Sequence, residues 1–173
     1  MGIWGRLRRK FGLGGLVVGG IIIAALAFIG ASALFDLSPE RVDTANGSRF
    51  PCTVLSVYDG DGPINCAERD QSGQQVKVRL RGIEAREIDN SCSRPDICPK
   101  ATGAEGKAAL LRYAYGKLTC TSFGPSYSRV NATCVNPKGF NLSCEMLRSG
   151  TAMRWAEYDP EGSLLACLPP GKT

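Results

Sequence analysis

The sequence predicts an α+β domain built on a small five-stranded β-barrel, and three observations point there. Short segments of alternating polarity recur between Thr53 and Cys134, and tight-turn residues punctuate them. Only two stretches, one after Ala101 and one after Phe140, carry helical spacing with capping residues.

The segment TVLSVY (53–58) alternates as a strand, and DGDG (59–62) turns the chain into a second strand around 63–67. In VKVRLR (76–81), Val76, Val78 and Leu80 face one way, and Lys77, Arg79 and Arg81 the other. Thr102 and Glu105 have the spacing of a capping box. Ala104, Ala108, Leu111 and Tyr115 then mark one face of a helix that Gly116 ends. KLTCTSF (117–123) and YSRVNATC (127–134) read as two further strands, and Asn141 caps a short helix, LSCEMLRS, that stops at Gly150. Five strands with a helix after the third describe a Greek-key barrel of the OB type with two or three helices.

Ahead of the barrel, residues 11–35 run for 25 positions without a charge. As a helix this spans about 37 Å, enough to cross a bilayer. Arg6, Arg8, Arg9 and Lys10 precede it, which places the N-terminal tail, residues 1–10, in the cytoplasm and the rest beyond the membrane. Ala31-Ser32-Ala33 also resembles a cleavage site, so the segment is either a transmembrane anchor or a signal helix that is removed. Both fates export the domain: a single-pass membrane protein with its C-terminal domain extracytoplasmic, or a secreted one. Residues 36–50, polar and aperiodic, read as a linker; residues 51–168 form the domain and 169–173 a tail.

All eight cysteines follow the apolar segment, an even number suited to disulfides in an oxidising compartment. Adjacency suggests Cys52–Cys66, Cys92–Cys98, Cys120–Cys134 and Cys144–Cys167, one set among 105 connectivities. Zinc at the C-x₅-C spacing of Cys92 and Cys98 is disfavoured because the chain has no histidine. That absence also excludes every mechanism needing an imidazole of this chain. Of 21 Lys and Arg, four lie in the tail; the remaining 17 nearly balance 16 Asp and Glu, so net charge is no argument for a nucleic-acid partner.

A local cluster is a better argument. Asp59 and Asp61 share a turn, Arg79 lies in the third strand, Glu84 and Glu87 follow it, and Arg129 starts the fifth. Carboxylates on one rim suit Ca²⁺ or Mg²⁺, and arginine forks suit phosphate oxygens. Taken singly, each feature has a plainer reading as a hairpin turn or a solvated strand face.

Four motifs in order, VYDGDG, VRLRGIEARE, YSRVNATC and NLSCEMLRSGTA, resemble the staphylococcal nuclease (thermonuclease) family over residues 52–155. The resemblance implies a calcium-assisted nuclease, a metal-dependent phosphodiesterase acting on DNA or RNA. In it Asp61 and Glu84 would be metal ligands. Arg79 and Arg129 would be catalytic phosphate contacts, with Tyr127 also at the substrate, and Glu87 would orient or deprotonate the attacking water. Four positions depart from the family pattern: Glu84 for aspartate, Ala85 for threonine, Arg86 for proline, which loosens the chain between carboxylates, and Gly62 for a hydroxyl residue. The competing readings are a catalytically weak or inactive nuclease-like binding module for nucleic acid or an envelope protein, and a structural membrane anchor.

Overall fold

Each alternating segment folds as a strand that turns its apolar set inward. The computed structural model describes residues 39–171. The expectations for the tail 1–10, the apolar segment 11–35, the first linker residues and the last two residues lie outside the described residues. Among the described residues no helix is long and apolar enough to cross a membrane.

Strands β1 (Arg49–Val57), β2 (Ile64–Arg69), β3 (Gln75–Leu80), β5 (Lys117–Ser126) and β6 (Arg129–Val135) close a barrel in the order β1-β2-β3-β6-β5. All neighbours are antiparallel except β3 and β6, which run parallel with Val78 opposite Val130 and Arg79 opposite Asn131. A parallel pair needs a long crossover, and the chain supplies helix α1 (Gly103–Tyr113) and strand β5 between them. The result is a closed, mixed five-stranded barrel with two α-helices, an α+β architecture consistent with the OB type. Val76, Val78 and Leu80 are buried, as the alternation of β3 requires, together with Phe50, Ile64, Leu118 and Ala132.

Both helical caps form. The Thr102 hydroxyl accepts from the Glu105 amide while the Glu105 carboxylate accepts from the Thr102 amide at 2.7 Å. Asn141 caps helix α2 (Leu142–Arg148) by accepting from the Cys144 amide at 3.2 Å. The buried face of α1 differs from the one its apolar spacing suggests: Gly103, Gly106, Ala109 and Leu110 face inward, and Ala104, Ala108 and Leu111 are exposed. Close approach decides the face. A Cβ on Gly60 would stand 2.7 Å from the Ala85 Cβ and 3.1 Å from the Gly106 Cα, so turn and helix meet where side chains are absent or smallest.

Two short strands that periodicity does not reveal, β4 (Ile83–Ala85) and β7 (Ala152–Arg154), pair antiparallel outside the barrel. Three residues are too few to display a period of two. Packing also begins ahead of Pro51: Val42 and Phe50 are buried, and Arg41 bridges to Arg69 within the stretch expected to be linker. Two isolated apolar residues on extended chain suffice for this without any visible pattern.

The disulfides join the same pairs that adjacency suggests. Cys52–Cys66 ties β1 to β2 and Cys120–Cys134 ties β5 to β6, where the two are register partners. Cys92–Cys98 closes the loop after β4, and Cys144–Cys167 fastens α2 to the C-terminal segment.

At the start of α1, a Cβ on Gly103 would overlap the Glu87 carbonyl oxygen. Gly103→Ala is therefore expected to cost about 1–3 kcal/mol in urea unfolding, whereas the exposed Ala104→Ser changes stability by less than about 0.5 kcal/mol.

Candidate functional site

The site is built from the turn after β1 outward. The Asp59 carboxylate accepts from the amides of Asp61 (3.1 Å) and Gly62 (2.9 Å), the side-chain-closed turn that aspartate favours. Gly62 sits at φ +120°, and any Cβ there would run into the Val78 carbonyl oxygen. The close backbone approach accounts for glycine where the resemblance expects a hydroxyl residue.

This turn drives Asp61 inward until it is 2% exposed. One carboxylate oxygen accepts from the Ala85 amide at 2.9 Å; the other meets Arg79 Nη1 at 2.6 Å. Arg79 Nη2 continues to Glu84 Oε2 at 2.9 Å, with Glu84 itself 1% exposed. The remaining oxygen, Glu84 Oε1, accepts from the amides of Ser93 (2.8 Å) and Arg94 (3.2 Å). The extra methylene of glutamate is thereby used to hold the disulfide loop.

Charge follows burial. Burial raises the Asp61 carboxyl to about 6, against the pull of the Arg79 guanidinium. Burial acts to lower Arg79, yet Asp61 and Glu84, with Asp59 and Glu87 behind them, leave it above its ordinary value. Glu87 is raised by burial and by its hydrogen bond to Asp59, and Asp59 is raised by burial and the charge of Asp61. The interaction between these two carboxyls acts in opposite senses, raising Glu87 and lowering Asp59.

Beyond this buried cluster a cavity of about 190 Å³ opens, lined by Arg79, Glu87, Arg129, Asn131, Trp155 and Tyr158, with Tyr127 at its edge. Tyr127 is 97% exposed at φ +56°. Trp155 and Tyr158 meet edge to face at 4.7 Å, and the Arg79 and Arg94 guanidinium carbons lie 6.0 and 5.2 Å from the Trp155 ring centre. Their segment is pinned by Arg154, whose Nε meets the buried Asp159 carboxylate at 2.7 Å; Asp159 also accepts from the Ser163 hydroxyl and the Leu164 amide.

The residues singled out in the sequence thus divide. Asp61, Arg79 and Glu84 form the buried cluster, while Glu87, Arg129 and Tyr127 surround the cavity. Arg79 and Arg129 differ: Arg79 is committed to two carboxylates, and Arg129 makes no ion pair among the described residues. Asn131, Trp155 and Tyr158 are additions. Asn131 was legible as the residue two beyond Arg129 on the same strand face, whereas the aromatics lie outside any periodic element. Arg86 does not leave the chain loose: its Nε donates to the Pro99 carbonyl at 2.9 Å and its Nη1 to the Asn90 carbonyl at 2.6 Å, clamping both ends of the loop.

The donor set does not fit a divalent cation as the residues stand. All four oxygens of Asp61 and Glu84 already accept from N–H donors, and the cation between them is Arg79. Calcium asks for six to eight oxygens and magnesium for a near-ideal octahedron. Among the described residues no three Asp, Glu or Cys side chains converge suitably for a metal.

Compared with known proteins, the chain matches no protein-family model and no curated protein.

A carboxyl raised by folding binds its proton in the native state before the unfolded state does. Its contribution is therefore fully present below the ordinary aspartate value and is lost as pH rises through about 6. The stability of the wild type relative to Asp61→Asn is expected to fall by up to about 3 kcal/mol between pH 4 and 7, measured by urea unfolding across that range.

Proposed function

We propose that the exported domain is a nuclease-like module that binds a nucleic-acid strand in the cavity without needing calcium. The observation that carries this reading is the cavity itself, where Arg129, without an ion pair among the described residues, stands among Trp155, Tyr158 and Tyr127. A nucleotide presents a phosphate and a flat base; an arginine fork suits the first and aromatic faces the second. The closed barrel and its resemblance in motif order to staphylococcal nuclease favour the same partner, and four disulfides suit an oxidising compartment beyond a membrane.

One observation favours a second reading, a metal-dependent endonuclease cutting DNA or RNA. Glu87 lines the cavity together with Arg129, so a carboxyl group stands where a base would take a proton from water. Against this, a divalent ion ligated by Asp61 and Glu84 would require Arg79 to give up both partners.

The test is fluorescence anisotropy of labelled single-stranded DNA and RNA with the full-length protein in detergent, in calcium, magnesium or chelator, with gel analysis of the strands. Binding in chelator that weakens at least tenfold in Arg129→Ala, with intact strands throughout, is the expected result. Cleavage that requires calcium and disappears in Glu87→Gln would instead establish the endonuclease. Strands left unbound in every condition would overturn both readings.

A further inference from the structure

The four disulfides differ in how far an outside thiol can reach them. Cys52, Cys66, Cys120, Cys134, Cys144 and Cys167 are buried, whereas Cys92 and Cys98 are both only half-buried. We propose that Cys92–Cys98 is a thiol–disulfide exchange site for an external dithiol, and that its reduction releases Glu84 from the loop and loosens one wall of the cavity. The inference holds whatever that cavity binds.

The place of this pair in the chain gives it leverage. Cys92 immediately precedes Ser93 and Arg94, whose amides donate to Glu84 Oε1 at 2.8 and 3.2 Å. Glu84 is buried, so losing those donors would strand a carboxylate oxygen, and the local structure must open to water to satisfy it. The Arg94 guanidinium carries the same loop to the cavity: it forks onto Asp96 at 2.8 and 3.0 Å, reaches Glu157 at 3.4 Å and lies 5.2 Å from the Trp155 ring centre. Ser93 and Trp155 both line the cavity. A clip on residues 92–98 therefore bears on a buried carboxylate on one side and on an aromatic wall on the other.

The barrel outlasts the clip. The sequence separation of Cys92 and Cys98 is 6, against 14, 14 and 23 for the other pairs, and the shortest loop removes the least entropy from the unfolded chain. Tethers that contain no sulfur hold the loop at either end: Arg86 donates to the carbonyls of Asn90 and Pro99, and the Asn90 side chain accepts from the Gly103 amide at 2.9 Å. Reduction therefore frees residues 92–98 and little else. In the exchange, one thiolate of the dithiol attacks one sulfur of the pair; a mixed disulfide forms, and the other cysteine leaves as a thiolate that takes up a proton. The second thiol of the dithiol then displaces the remaining cysteine and closes its own disulfide. The dithiol is oxidised by two electrons, and Cys92 and Cys98 are reduced and carry the two protons.

The experiment titrates the full-length protein in detergent with dithiothreitol under native conditions. New thiols are alkylated with N-ethylmaleimide and located by peptide mass spectrometry, and amide hydrogen exchange is followed in parallel. Cys92 and Cys98 are expected to be labelled at a dithiothreitol concentration at least about tenfold below that needed for the other six cysteines. At that concentration the Ser93 and Arg94 amides should exchange at least about tenfold faster, while those of strands β1 and β5 change by less than about twofold. The double variant Cys92→Ser, Cys98→Ser should show the faster exchange without reductant and no further response to it; if that variant fails to fold, the wild-type titration decides alone. Four disulfides that open together, or Cys144–Cys167 opening first, would overturn the exchange site. Selective reduction that leaves the Ser93 and Arg94 amides protected would overturn the release of Glu84.

Discussion

One guanidinium between two buried carboxylates governs how this end of the barrel is assembled. Asp61 and Glu84 are all but removed from water, and an uncompensated charge in such a place costs several kcal/mol. Arg79 compensates both, and the bond network continues outward from its partners. Asp61 fixes β4 through the Ala85 amide, and Glu84 fixes the Cys92–Cys98 loop through the amides of Ser93 and Arg94. A turn, a barrel strand, a short outer strand and a loop are thus held to one cation, and the cavity opens beside them.

The same constraint separates two uses of a similar set of residues. Carboxylates that converge on open space make a metal site; carboxylates that converge on an arginine make a strut. Here they make a strut, and Arg129 and Asn131 on β6 are left to line the cavity beside it. The Arg154–Asp159 pair fixes the segment that brings Trp155 and Tyr158 to the cavity.

Much of this was legible in the sequence, for reasons that differ by element. Strands β1, β2, β3, β5 and β6 announce themselves because each turns one face inward, and period two follows from geometry. Both caps were legible because Thr102 and Asn141 satisfy helix-end amides by chemistry local to the chain. The face of α1 was not, because it packs through Gly103 and Gly106, and an absent side chain leaves no hydrophobic signal. Nor were β4 and β7, which are shorter than the period that would reveal them. At the site, the grouping of Asp61, Arg79 and Glu84 could be read from motif order, but its sense could not. Whether carboxylates face a metal or an arginine depends on distances of a few ångströms between strands far apart in the chain. Trp155 and Tyr158 escaped because they lie outside any periodic element, in a segment bracketed by the Arg154–Asp159 ion pair.

The claim on which the account turns is that Arg79 is the cation of this cluster. Thermal unfolding of the full-length protein and of Arg79→Met, each in chelator and in millimolar calcium, tests it directly. The account predicts a wild-type Tm that calcium leaves unchanged, and an Arg79→Met Tm that drops in chelator and partly recovers when calcium takes the vacated place between Asp61 and Glu84. A wild-type Tm that climbs by several degrees in calcium, with no recovery particular to the variant, would contradict it.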